Sequence, residues 1–261
     1  MLPTHAFVVP AYGESPFLGA CLDSLKSQSV PSEVTITTST PSAYIETAAR
    51  SAGARLIVNE TAAGIASDWN FALLATTARR VTLAHQDDVY FPRFLEETLR
   101  LLDAFPDAAL CFTGYAEIDD TGAVTSSRIS GVKQFLEAVM LGRTHRPSRA
   151  RLRGFLSFGN PLPCSSVTFD RRRLVGFAFD GAYRSNLDWD AWWRLLTEGR
   201  TFVRTPERLI GRRHNNLTET ARLIDSGVRR AEDLAMFRRR WPRPLAAAIA
   251  LLYGAGYQRT S

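Results

Sequence analysis

The chain has 261 residues, of which 45% are hydrophobic and 22% charged, with a formal net charge of +6. These values are ordinary for a soluble globular protein, and the length suits one large domain with a core that needs no staples. All but two of the 32 Lys and Arg residues are arginine, and neither an aromatic stacking series nor a nucleic-acid motif accompanies them, so no nucleic-acid partner is expected.

Met1-Leu2-Pro3 runs almost directly into an apolar strand without a basic leader, so no secretory signal is expected. Cys21, Cys111 and Cys164 lie far apart and read as free buried thiols, which fits a cytoplasmic location.

The first 113 residues alternate strand and helix. Ala6–Val9 is an apolar strand ending at Pro10. Pro16 opens a helix in which Leu18, Cys21, Leu22 and Leu25 share one face. Val34–Thr38 reads as a strand, Ser42–Ala52 as a helix closed by Gly53, and Leu56–Val58 as a strand. Ile65–Thr77 is predicted helical, Val81–Ala84 a strand, Pro92–Phe105 a helix and Ala109–Phe112 the next strand.

This alternation predicts an α/β fold with a Rossmann-like, mostly parallel sheet and helices on both faces. Ligands of such sheets bind beyond the carboxyl ends of the strands. The candidate site is therefore assembled from Pro10-Ala11-Tyr12, Thr38-Ser39, Asn59-Glu60 and His85-Gln86-Asp87-Asp88.

Beyond residue 113 the pattern loosens. Residues 126–159 are polar, basic and unassigned. Ser165–Phe169 reads as a strand and Asp188–Thr197 as an aromatic-rich helix. One unit over 1–261 is expected, with a first half (1–113), a second half (114–220) covering its mouth, and a helical extension (221–261).

Arg143–Arg153 holds five arginines and no acid, and Arg200–Arg243 holds twelve against five acids. Such charge serves either as a solvated face or as an attractor of phosphate, in a nucleotide diphosphate or an anionic membrane. No apolar run reaches the roughly 20 residues of a membrane span. Leu245–Tyr257, behind Arg238-Arg239-Arg240-Trp241, is expected to pack as a terminal helix. The alternative is an interfacial anchor making peripheral contact at the inner face of a membrane.

Asp87 and Asp88 directly follow an apolar strand. Hard cations such as Mg²⁺ or Mn²⁺ take oxygen ligands and keep open positions for phosphate, which two acids at a strand end can supply. The same pair would also suit a helix start before Pro92. No glycine-rich phosphate loop occurs, which argues against dinucleotide enzymes and ATPases.

Phe7-Val8-Val9-Pro10-Ala11-Tyr12, Leu22-Asp23-Ser24-Leu25 and Gln28-Ser29-Val30-Pro31 together resemble the opening of glycosyltransferase family 2. Gly64 to Asp68-Trp69-Asn70 resembles that family's glycine-to-asparagine segment. Gln86-Asp87-Asp88 resembles its D-x-D-type metal site in rhamnosyltransferase-like form. Asn160-Pro161 with Ser165-Ser166-Val167 resembles its acceptor-side strand, and Leu187-Asp188-Trp189-Asp190-Ala191-Trp192-Trp193-Arg194 its E-D-x-D-x-W-x-R helix start.

The resemblance implies a GT-A fold and an inverting glycosyltransferase dependent on a divalent metal. The donor would be a nucleoside-diphosphate sugar (UDP or dTDP), and the acceptor a glycan or lipid-linked hydroxyl in cell-surface polysaccharide or glycolipid synthesis. It further implies Asp88 as metal ligand, Asp87 and Gln86 beside the donor, and His214 closing over the metal or diphosphate. Pro10, Ala11, Tyr12, Glu14 and Ser39 would line the nucleoside pocket, with Asp68 and Asn70 from the glycine-to-asparagine segment. Asp188 would be the general base, with Asp190 as its alternative, and Arg212 or Arg213 would clamp the diphosphate. The sequence departs from the family at the end of the second strand, where Thr37-Thr38-Ser39-Thr40 carries no acid to read the nucleobase. His85 stands where many members have aspartate. A catalytically silent nucleotide-sugar or glycan-binding module on the same fold is the rival expectation.

Overall fold

The computed structural model describes residues 4–61, 64–125, 137–213, 223 and 226–255. β1 (His5–Ala11), β2 (Glu33–Thr38), β3 (Arg55–Val58) and β4 (Arg80–Leu83) run parallel in the order β3-β2-β1-β4. Ala6, Phe7, Val8 and Val9 are all fully buried, because helices cover both faces of the sheet.

The two faces follow the period of two along β1. Phe7 and Val9 pack with Leu18, Cys21, Leu22 and Leu25 of α1 (Leu18–Lys26) and with Ile45 and Ala49 of α2 (Ala43–Ala52). Val8 packs on the other side with Ala66, Trp69, Ala72 and Leu73 of α3 (Ile65–Leu74). Ser42 caps α2 by accepting the Ile45 N–H at 3.3 Å, and Gly53 ends it at φ +61°. α3 stops at Leu74, short of the predicted Thr77.

The second half of the sheet is mixed. β5 (Val89–Tyr90) leads into α4 (Phe94–Ala104) and the long β6 (Ala108–Ile118), on which β7 (Val124–Thr125) folds back. The sheet continues β4-β8-β6-β9-β5, through β8 (Val167–Asp170) and β9 (Thr201–Arg213). The strand predicted over 109–112 is therefore not the neighbour of β4. β8 enters between them, antiparallel to both, and its Thr168 hydroxyl meets that of Thr82 at 2.7 Å.

β9, thirteen residues long, pairs in parallel with β6 through register shifts around Gly114. A Cβ on Gly114 would lie 2.8 Å from the Pro206 carbonyl, so only glycine allows the bulged strands to approach there.

α5 (Arg149–Leu156) packs on α6 (Leu187–Thr197), whose Trp189 and Trp192 are fully buried and satisfied by carbonyls. α7 (Val228–Arg238) and α8 (Arg243–Ala255) form a final hairpin. Ala246 is buried in the core and Tyr253 packs against it, so this helix is docked, while Leu251 and Leu252 face outward. Among the described residues no helix is long and apolar enough to cross a membrane. The three cysteines are buried and unpaired.

Asp190, fully buried, ties α6 to α7: Arg194 Nε and Arg239 Nη2 each lie 2.7 Å from one of its oxygens. Removing one partner of a buried ion pair leaves uncompensated charge. Asp190→Ala is therefore expected to lower unfolding free energy by about 3–5 kcal/mol, read by urea denaturation.

Candidate active site

The carboxyl ends of the parallel strands converge as expected for such a sheet. β1 ends in Pro10 and Ala11, and Tyr12 beyond them is exposed while its backbone is held. Gln86 Oε1 accepts the Tyr12 N–H at 3.1 Å and Gln86 Nε2 donates to the Tyr12 carbonyl at 3.0 Å. Gly13 N–H donates to Thr40 Oγ1 at 2.8 Å, which joins the β1 and β2 loops. Glu14 is exposed in the same loop.

Asp68 lies in the first turn of α3 and reaches the end of β2. Its Oδ2 accepts from Ser39 Oγ at 3.0 Å and its Oδ1 from Asn59 Nδ2 at 3.0 Å. A carboxylate thus stands at the end of β2 although the β2 loop itself has none. Asn70 is committed elsewhere: its carboxamide bonds both the N–H and the carbonyl of Phe179, at 2.7 and 2.9 Å. That pairing is a brace between α3 and the second half.

The two acids after β4 differ in setting. Asp88 is buried, and its Oδ1 accepts the Arg213 N–H at 3.0 Å. Asp87 is half-buried, and its Oδ1 accepts from Ser15 Oγ at 2.5 Å. Burial raises the pKa of both above the ordinary carboxylate value, against the lowering pull of Ser15 on Asp87. Ser165 Oγ makes no hydrogen bond of ordinary geometry, yet it lies near enough to Asp88 to offset part of that shift, as does the Arg212 charge.

Arg213 is a structural group. Its Nε donates to the Asp87 carbonyl at 3.0 Å, its Nη1 donates to the Asp119 carbonyl, and its guanidinium lies 4.2 Å from the Phe17 ring centroid. Of the two expected diphosphate clamps, Arg212 is the one whose head is not spent on the backbone. It is half-buried, 6.0 Å from the Tyr115 ring centroid, and its charge reaches both Asp88 and His85. His214 lies outside the described residues.

Asp188 opens the first turn of α6 and is half-buried, with its Oδ1 accepting the Trp189 N–H at 2.8 Å. Burial raises its pKa, opposed by the nearby Arg229 charge and by hydrogen bonding from Trp189 and Asn160. Asp190 is closed off between its two arginines, which leaves Asp188 as the carboxylate with access to the cleft.

His85 opens the loop after β4 that carries the two acids. Burial lowers its pKa to about 4, while Asp188 and Asp87 both pull it upward, so both fields reach one ring. That ring lies 5.1 Å from Trp69, and its Nε2 is buried without a partner. Sequence reasoning placed His85 in the loop after β4 and Ser165 on the acceptor-side strand, and passed over Ser15. An orphaned ring nitrogen and a hydroxyl bond spanning 72 residues have no local signal.

The donor set fits a divalent cation in part. Two adjacent carboxylates at a strand end are hard oxygen ligands, and their repulsion and burial leave negative charge for a cation to relieve. No group of three or more metal-ligating side chains occurs among the described residues, so phosphate oxygens and water would have to complete the shell.

A parallel sheet with loops at its carboxyl ends, extended by a mixed half, is the arrangement of GT-A glycosyltransferases. The chain belongs to glycosyl transferase family 2, whose model matches residues 6–170. It is a glycosyltransferase of that family. No curated protein matches it by sequence.

Among solved structures, it resembles S. aureus TarS 1-349 in complex with UDP-GlcNAc at 14% identity and a TM-score of 0.64, covering 95% of this chain and 70% of that one. It also resembles the mannosyltransferase PcManGT from Pyrobaculum calidifontis in complex with GDP-Man and Mn²⁺, at 16% identity and a TM-score of 0.66, covering 99% and 71%. Glucosyl-3-phosphoglycerate synthase from Mycobacterium tuberculosis, with Mn²⁺, UDP and glucosyl-3-phosphoglycerate, matches at 18% identity and a TM-score of 0.57, over 86% and 78%. At these identities the likeness establishes the GT-A fold.

A carboxylate whose folded pKa is raised binds its proton more tightly folded than unfolded. Its contribution therefore falls as pH rises through the window from the ordinary value of about 3.9 up to the raised one. Asp88→Asn removes that penalty and keeps an acceptor for the Arg213 N–H. The variant is expected to be more stable than the parent by about 1 kcal/mol at neutral pH without metal, and equal to it in acid. Thermal melts in chelator at the two pH values check this, and a lower melting temperature at neutral pH would contradict it.

Proposed function

We propose that the protein transfers a sugar from a nucleoside-diphosphate donor to a hydroxyl acceptor with inversion, using Asp188 as general base and a divalent cation at Asp87 and Asp88. The observation that carries this reading is the family match over residues 6–170 together with the Asp87-Asp88 turn directly beyond the carboxyl end of β4. Relatives of the same fold in complex with UDP-GlcNAc, and with GDP-Man and Mn²⁺, support a nucleotide-sugar donor and a metal.

Each residue has a chemical task. The backbone loops at Tyr12-Gly13 and Thr38-Ser39-Thr40, fixed by Gln86 and Thr40, form the nucleoside floor. Asp68 offers the nucleobase an acceptor carboxylate at the β2 end, through Ser39 or directly. Departure of the diphosphate develops negative charge, which Arg212 stabilises. A cation bound at Asp87 and Asp88 would supply Lewis-acid stabilisation of that same charge. Of the two, Asp87 is the more open, and Asp88, pinned to Arg213, holds the turn in place. Asp188 takes the proton of the incoming hydroxyl. Its raised pKa strengthens it as a base. A role in cell-surface polysaccharide or glycolipid synthesis, in the cytoplasm, accords with this reading.

Asp188→Asn is expected to lower kcat by at least about a hundredfold, the lower end of general-base contributions. A panel of nucleoside diphosphates with and without Mn²⁺ should still raise its melting temperature as in the parent. Full transfer in the variant would place the base elsewhere, and equal nucleotide shifts with and without chelator would remove the metal. In the parent, the acid limb of kcat/KM should lie above the ordinary aspartate value of about 3.9, because activity is lost as pH falls through the raised pKa of the base.

A further inference from the structure

We infer that Glu232 on α7 is a positioning residue: its carboxylate holds the three residues ahead of α6 and thereby fixes where Asp188 stands. The inference rests on the reading of Asp188 as general base and adds to it the group that places the base.

α6 begins without a side-chain cap of its own. Asn186, at its N-cap, makes no side-chain bond to the helix. Its carboxamide turns instead to α7, where Asp233 Oδ1 accepts from Asn186 Nδ2 at 2.8 Å. The backbone ahead of the helix is held from the same side. Glu232 Oε1 accepts the Arg184 N–H at 2.8 Å, and its Oε2 accepts the N–H groups of Ser185 and Asn186, each at 2.9 Å. Three successive N–H groups gathered round one carboxylate form charge-assisted bonds, roughly twice as strong as neutral ones. Arg229 Nη1 adds a bond to Ser185 Oγ at 3.0 Å.

The same part of the chain grips the far side of the base. Arg239, at the C-cap of α7, lies 2.7 Å from Asp190 and donates from Nη2 to Tyr183 Oη at 2.8 Å. Asp188 therefore sits inside a stretch, 183–190, that α7 brackets at both ends. The Asp188 bond to the Trp189 N–H lies within one turn and cannot set where that turn stands.

Within the bracket, Glu232 is the member that can be changed with least damage. Asp190 is fully buried between two arginines, whereas Glu232 is half-buried. The three Glu232 bonds all go to residues 184–186. The donor loops are held by other groups: Gln86 on Tyr12, Thr40 on Gly13 and Arg213 on the Asp87-Asp88 turn. Loss of Glu232 should thus move the base and leave the donor side in place.

The test uses the full chain with Mn²⁺ and UDP-, GDP- and dTDP-sugars, following nucleoside diphosphate released from the donor turned over fastest. Glu232→Gln, which keeps one acceptor oxygen, should lower kcat about tenfold, and Glu232→Ala about a hundredfold, the scale of a misplacement of about 1 Å. Donor KM and the melting shift with nucleoside diphosphate should stay within about twofold of the parent, as for an interaction made only in the transition state. In an Asp188→Asn background the same substitutions should cost no more than about twofold, because residues acting through one group are not additive. Glu198→Gln, at the exposed far end of α6, should leave kcat unchanged. Should Glu232→Ala fail to melt cooperatively, Glu232→Gln carries the comparison. Equal kcat losses in both backgrounds, a matching rise in donor KM, or full kcat in the Glu232 variants would overturn the positioning role. Impaired Asp188→Asn beside fully active Glu232 variants would remove that role alone. Full transfer by Asp188→Asn would remove the base itself.

Discussion

Where β9 runs into the Asp87-Asp88 turn, Arg213 joins the two halves of the chain. Its N–H holds the Asp88 carboxylate, its guanidinium bonds the Asp87 and Asp119 carbonyls, and its face lies on Phe17. A buried guanidinium must replace the water it loses with acceptors in its own plane, so each contact constrains the others. The turn is therefore positioned by a strand that lies 125 residues away in sequence. From the other side Ser15 holds Asp87, and Tyr44 Oη donates to the Ser15 carbonyl at 2.5 Å. The carboxylates are held by Arg213 and Ser15, and burial raises the pKa of both. Such a site is destabilising when empty, and a cation with phosphate would relieve it.

The first half of this fold was legible because its signals are local. Each parallel strand is a short apolar run, each helix has a stripe at helical spacing, and the rule that ligands bind at carboxyl ends picks out the Tyr12, Ser39 and Asp87 loops. The second half resisted because its order is set by long-range pairing. Nothing in Val167–Asp170 announces that it will slot between β4 and β6 and run against both. β9 was missed because Pro206 and four arginines interrupt its apolar pattern, and its regularity depends on a bulge that only Gly114 permits. The family resemblance points to Asp188 where local pattern could not, whereas the brace between Asn70 and Phe179 shows that a motif residue can be spent on packing.

The arginine excess divides differently from its appearance in sequence. Arg204 is almost fully buried, paired with Glu137 and bonded to the Gly142 carbonyl at 2.9 Å. Arg171 serves the Thr76 and Ala78 carbonyls, and Arg79 ties β8 to the chain before β4 through Asp170. Many cations of the second half thus act as connectors between irregular segments, where a planar head with several donors can satisfy backbone carbonyls that no sheet or helix partner reaches. The net charge of +6 is consequently not one basic face, and Arg212 is set apart by position rather than by residue type.

Asp188 and Asp190 carry the same argument to the scale of one helical turn. Two residues apart on a helix, their side chains leave on different sides. One side meets Arg194 and Arg239 and is sealed, so its charge is matched and inert. The other side feels Arg229, Asn160 and His85, which together do not cancel the cost of burial. The acid that is incompletely compensated keeps its affinity for a proton, which is the property the proposed base requires.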